Sequence, residues 1–180
     1  MSRLLHCLAL AAGLLAASAQ AAEVKTPYGS FIAPDGLTEV NRDDKTDPRT
    51  GKPAGMVVLT RASDPKAVYI VVWSFAEPDL AKPYDALEGA VRIGNPFDKA
   101  LTRDAASATS VGGVAGGRYE GTLPNGQRAI SYVATNAGHR IVVLLKGPAS
   151  GSHKNTAEAM GRGIERFSWV VPASAAASAP

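Results

Sequence analysis

The sequence predicts an α+β fold, a twisted antiparallel β-sheet with helices packed against it in a single domain. Three stretches carry that prediction. Gly117 to Pro148 reads as three strands joined by two tight turns. Ala67 to Phe75, AVYIVVWSF, is apolar on both of its alternating faces. Near the C terminus, Ala157, Met160, Ile164 and Phe167 fall on one helical face. Strands with period-2 alternation beside an amphipathic helix describe a sheet with a helix laid over it.

The chain opens with Arg3 as a short basic region, Leu4 to Ala17 as an apolar region, and Ala19-Gln20-Ala21 as a small-residue cleavage site. This is the pattern of a bacterial secretory signal peptide over residues 1–21. The run is short and ends in a cleavage motif instead of a basic flank, which argues against a membrane anchor. The only cysteine, Cys7, lies inside it. The mature chain, a single α+β domain over residues 22–171 followed by a tail, therefore has neither a disulfide nor a thiolate metal site, and burial alone must hold the domain together.

Val24 to Ile32 predicts a first strand, and Pro34-Asp35-Gly36 turns the chain. Leu37 to Val40 continues as a short strand, and the polar stretch Asn41–Ala54 predicts an exposed loop. Met56 to Thr60 is a strand and Asp64-Pro65 a turn. Ala67 to Phe75 is a central strand, because Val68, Ile70 and Val72 form one apolar face and Tyr69, Val71, Trp73 and Phe75 the other. Tyr84, Leu87 and Val91 make one helical stripe, which predicts a helix over 83–93, ending near Gly94 and Pro96. Asn95 caps a second helical piece over 97–103, and Ala108 to Val111 forms a short strand. Gly112, Gly113, Gly116 and Gly117 mark turns, a bulge or close backbone approach.

In the meander, Tyr119 and Leu123 alternate with Arg118, Glu120 and Thr122. Pro124-Asn125-Gly126 supplies the first turn and Asn136-Ala137-Gly138 the second. Pro148 to Ser152 is loop. Asn155 and Glu158 have capping-box spacing and predict the start of the last helix, in which Gly161 and Gly163 each cost about 1 kcal/mol relative to alanine. Trp169 to Val171 adds a final strand, and residues 172–180, PASAAASAP, form a disordered tail.

The elements in order carry three local features. Pro34-Asp35-Gly36 follows the first strand, and a Gly-Gly-x-x-Gly-Gly run at Gly112 to Gly117 precedes paired strands. A helix then enters Ile164-Glu165-Arg166-Phe167-Ser168, with Phe and Ser reversed relative to an I-x-x-S-F close. In these features, over residues 24–171, the chain resembles the PsbP/Mog-like superfamily of small α+β domains, in its secreted bacterial members. The resemblance implies a twisted antiparallel sheet with packed helices and an accessory, binding or assembly role. It brings no shared catalytic set, so no site residue is carried over.

Without Arg3, 18 basic side chains face 16 acidic ones, with no basic run. That excludes a nucleic-acid footprint, and no later segment is long and apolar enough to span a bilayer. Ser63-Asp64-Pro65-Lys66 has the spacing of a serine–lysine hydrolase motif but lies between strands, where it reads as a turn. His139 and His153, the two histidines of the mature chain, read as solvated surface, since one follows a turn glycine and the other lies in a polar stretch. Asp43, Asp44 and Asp47 lack the alternation of a calcium loop. Thr50-Gly51-Lys52-Pro53 has proline where a phosphate loop needs a magnesium-ligating hydroxyl. No metal or cofactor is predicted.

The expected function is therefore an exported, non-enzymatic accessory or binding protein, acting on a protein or envelope component in the periplasm or outside the cell. Its expected surface combines Gly112–Gly117 with Asn41–Ala54. The alternatives are a small hydrolase using His139 or His153 with Asp43 or Glu120, and a carrier holding a small apolar ligand in a closed pocket beneath Trp73.

Overall fold

The computed structural model describes residues 22–75 and 102–170. The signal segment, the helix over 83–93 and the tail over 172–180 lie outside the described residues, as does 97–101 of the second helical piece. The described chain is mostly antiparallel sheet, with one helix.

Ten strands follow in order: β1 (Glu23–Thr26), β2 (Gly29–Ile32), β3 (Leu37–Thr46), β4 (Pro53–Arg61), β5 (Asp64–Phe75), β6 (Thr102–Val111), β7 (Val114–Thr122), β8 (Arg128–Asn136), β9 (His139–Gly147) and β10 (Ser168–Trp169). Helix α1 (Gly151–Glu165) sits between β9 and β10. Seven strands form one sheet in the order β3-β4-β5-β9-β8-β7-β6, and β1-β2-β10 form a smaller one. All pairs are antiparallel.

The apolar runs take the middle of the large sheet, as their two-sided character requires. β5 and β9 pair from Val68 opposite Lys146 to Phe75 opposite His139. Tyr69, Val71 and Trp73 point to the face covered by α1 and the small sheet, where Phe31, Met160, Ile164 and Phe167 complete the core. Ile70, Val142 and Leu144 point to the opposite face and join Leu123 and Ala129 in a second buried cluster. The meander of β7, β8 and β9 stands as expected. Its first turn is closed by Gly126 N–H donating to Leu123 O at 2.8 Å, and its second is the two-residue Ala137-Gly138 connection, both at positive φ.

Several expectations are corrected. Val24 to Ile32 is not one strand but the hairpin β1–β2, reversed at Pro27-Tyr28. Asn41–Ala54 is not a loop: β3 runs on to Thr46 and β4 begins at Pro53, so only residues 47–52 connect them. Polar residues suffice there because β3 is an edge strand with most of its side chains in water. β6 likewise starts at Thr102, so Thr102 and Arg103, expected as the end of the second helical piece, are strand, and the short strand at Ala108 is the end of a ten-residue one. Ala62-Ser63, not Asp64-Pro65, forms the β4–β5 turn. Pro65 sits where the register slips between Thr60 and Arg61, a place that needs no ladder donor.

Helix α1 starts four residues before Asn155. Ser150 is its N-cap and accepts a hydrogen bond from His153 N–H at 3.2 Å. The glycines inside it have a packing reason. A Cβ on Gly161 would stand 2.6 Å from Tyr132 Oη, and one on Gly163 would stand 2.7 Å from Ile32 O. The loss in helix propensity, about 1 kcal/mol each, lets the helix lie close on both sheets. Met160 and Ile164 are then fully buried, a contribution of about 1.5–3 kcal/mol each.

Candidate functional site

The N-terminal end of α1 rests over β7 and β8 and leaves a cleft of about 490 Å³. Strand periodicity places Arg118 and Glu120 of β7, and Arg128 and Ile130 of β8, on the side facing the helix. The helix contributes Ser150, His153, Lys154 and Glu158.

Glu120 is the electrostatic hub. One carboxylate oxygen accepts from Arg118 Nη1, and the other accepts from Arg128 Nη2 at 2.9 Å. Arg128 also lies 3.6 Å from Asp104, whose carboxylate accepts from Thr122 Oγ1 at 2.7 Å. Arg118 stacks over the Tyr132 ring at 5.8 Å. Lys154 has no ion-pair partner among the described residues. The first turn of α1 carries no acidic side chain, so the positive end of the helix dipole is uncompensated by the helix itself. The cleft thus sets Arg118, Arg128 and Lys154 against Glu120 and Glu158, one positive charge in excess, with Glu120 neutralised from two sides.

His153 is 2 % exposed, and neither ring nitrogen has a hydrogen-bond partner. The ring lies against Gly147 and Tyr69. Burial holds the imidazole below the usual histidine range, against the opposing pull of the Asp64 carboxylate. The expectation of a solvated His153 is therefore corrected: it is the first member of the buried stripe that continues through Ala157, Met160 and Ile164. His139 is also buried, wedged between the rings of Tyr28 at 4.4 Å and Phe75 at 5.4 Å, with Nδ1 3.2 Å from Asn136 O. It follows a turn, as expected, but the hairpin β1–β2 covers it.

Of the residues considered for hydrolysis, His153 and Glu120 meet in this cleft, with Ser150 beside them. They are not connected as a catalytic set. Ser150 Oγ caps the helix through the backbone N–H of His153, the imidazole bonds to nothing, and Glu120 is held by two arginines. A base must reach the proton it removes, and here the ring and the hydroxyl make no hydrogen bond. His139 and Asp43 are not hydrogen-bonded to each other either; Asp43 pairs with Lys45 at 3.0 Å.

Asp44 approaches Arg42 at 3.8 Å and Asp47 holds Arg49 at 3.2 Å, so the acidic cluster is spent on its own neighbours. Trp73 is buried, 1 % exposed, and its ring packs on β4, where a Cβ on Gly55 would stand 2.7 Å from it. The groove that reaches Trp73 is rimmed by Asp43, Lys45, Asp47 and Arg49, not the closed apolar pocket that a carrier requires.

The surface expected from Gly112–Gly117 and Asn41–Ala54 does not exist as one face, because the two lie on opposite edges of the seven-stranded sheet. Gly112 and Gly113 form the β6–β7 turn at positive φ, and Gly112 N–H donates to Ile164 O at 3.1 Å. Gly116 abuts Val133 O, and Gly117 lies under the Tyr119 ring. These glycines serve internal packing.

Arg118, Arg128 and Lys154 were not singled out by sequence, since isolated cations carry no signal. His153 had one: it stands four residues before Ala157, extending the stripe by a turn.

No family model matches the chain, and no curated protein sequence does either. The fold is similar to that of cyanobacterial PsbP (CyanoP) from Synechocystis sp., with a TM-score of 0.58 and 18 % identity over 91 % of this chain and 99 % of that one. It is also similar to a crystal structure from Bacteroides thetaiotaomicron, with a TM-score of 0.51 and 12 % identity over 86 % of this chain and 50 % of that one. LpqN of Mycobacterium tuberculosis, described as involved in cell envelope biogenesis, gives 0.44 and 16 % over 84 % of this chain and 91 % of that one, a likeness too slight to argue from. At these identities what is shared is the fold, and the chain has a PsbP-like fold.

Proposed function

We propose that the chain is an exported, non-enzymatic accessory protein of the periplasm or cell exterior, a secreted relative of the PsbP/Mog-like domains. Residues 1–21 are its signal peptide, residues 22–171 its single domain and residues 172–180 its unstructured tail. It uses the cleft under the N terminus of α1 to hold an acidic group of a protein or envelope component. The observation that carries this reading is the state of the cleft's reactive groups: Ser150, His153 and Glu120 share one depression, yet each is committed to a structural task. What is left to meet an anionic visitor is Lys154, which has no ion-pair partner among the described residues, and the N-terminal end of the helix dipole. No helix among the described residues is long and apolar enough to cross a membrane.

The test is site-directed photocrosslinking in the native host, with the crosslinking residue at Lys154 or, as a control, at Lys66. The reading expects one recurrent envelope adduct from position 154 that is absent from position 66. Equal adducts from both positions, or none from either, would overturn it.

A further inference from the structure

A second feature lies at the other end of α1. Register puts Ser30 opposite both Lys25 and Ser168, so Ser30, Ile32 and Ser168 share the outer side of the small sheet. Val170, two residues past Ser168, continues that side, anchored by its N–H to Tyr28 O at 2.9 Å. Ile32 is 54 % and Val170 59 % exposed; the third large exposed hydrophobic side chain among the described residues is Val40. Single exposed apolar residues are ordinary, but Ile32 borders a groove of about 470 Å³ between β2 and the last turns of α1. Phe31, Ala33 and Gly163 line it, and Arg162 and Arg166 edge it.

Those two arginines differ from others in the molecule. Arg42, Arg49, Arg118 and Arg128 each hold a carboxylate. Arg162 and Arg166 have no side-chain partner among the described residues. Offsetting the negative end of the helix dipole accounts for a cation in the last turn. It does not account for two guanidinium groups flanking an apolar groove with an exposed isoleucine.

We infer that this corner docks an extended acidic and apolar segment of a partner protein, with alternate carboxylates on Arg162 and Arg166 and the intervening apolar side chain against Ile32. An extended segment suits a groove with unlike walls, because its alternate side chains point to opposite sides. In a Glu-x-Glu segment the two carboxylates then meet Arg162 and Arg166 on the wall made by the end of α1, each able to accept a bidentate pair, while the intervening side chain meets Ile32 on the wall made by β2. This surface is independent of the cleft at the opposite end of α1, so either proposal can fail alone.

The test uses the purified mature chain and two labelled peptides, one containing Glu-Leu-Glu-Leu and the other Lys-Leu-Lys-Leu. Binding is read by fluorescence anisotropy and located by amide NMR shifts. The acidic peptide is expected to bind and to shift Ser30, Ile32, Gly163 and Arg166. Arg162→Glu with Arg166→Glu should weaken it at least about tenfold and Ile32→Ser about threefold, with thermal unfolding of both variants close to the parent. The inference is overturned if the acidic peptide does not bind, if the basic one binds equally, or if the shifts fall in the Lys154 cleft. It is also overturned if anionic lipid vesicles occupy the groove while the peptide does not, or if sedimentation shows the chain self-associating through these arginines.

Discussion

A methyl group added to Gly147 would stand 2.6 Å from His153 Nδ1 and 2.9 Å from its Cε1. The last residue of β9 thus forms the floor on which the buried imidazole lies, and the start of α1 is positioned by that contact. Gly147→Ala should force the ring and the helix away from the sheet and destabilise the protein by about 1–3 kcal/mol, the usual cost of overpacking. Urea unfolding compared with the parent checks this.

The same imidazole predicts a pH dependence. His153 is neutral in the fold, with burial lowering its affinity for a proton, while the unfolded chain takes up that proton below about pH 6.5. Stability from this group is complete above that pH and is lost as pH falls toward the lowered folded value. Urea midpoints of the parent should fall between pH 7 and 5 more steeply than those of His153→Leu. Parallel slopes would show that the ring is not held neutral.

Ser150→Ala removes the acceptor of the His153 N–H. Losing an N-cap costs about 0.5–2 kcal/mol, and the loss should appear in the equilibrium unfolding of the whole domain because α1 covers the main core. Asn155→Ala, at the position that sequence spacing favours as the cap, should leave stability within about 0.5 kcal/mol.

Ala137 is the non-glycine residue with positive φ among those described, at 49° in the β8–β9 turn. A left-handed alanine costs about 1–2 kcal/mol, and asparagine or glycine suits that position of a two-residue hairpin. Ala137→Gly should therefore stabilise the protein by about 1 kcal/mol, read as a raised urea midpoint.

The centre of the sheet was legible in the sequence because Ala67 to Phe75 and Ile141 to Leu145 bury both faces, and only apolar residues can do so. Its edges were not. β3 continues through Asn41, Arg42, Asp43 and Asp44, and β6 through Ala105, Ala106 and Ser107, where side chains meet water and backbone pairing alone makes the strand. No hydrophobic period marks such segments. The start of α1 was hidden likewise, because GSHKN is polar and the burial of His153 comes from the neighbouring β9. The cleft was least legible of all: Glu120 lies 33 positions before His153 in the chain, and only the β7–β8–β9 meander followed by α1 brings them to one place.

Labelling of Ser150 tests most directly whether the cleft is a place of binding or of reaction. The mature protein is treated with a fluorophosphonate, which modifies serines activated by a neighbouring base, and is then analysed by intact-mass and peptide mass spectrometry. With Ser150 Oγ engaged as a helix cap and the His153 ring turned against Gly147, no adduct should form at Ser150. A stoichiometric adduct at Ser150 that disappears in His153→Leu would contradict the account and establish a catalytic pair.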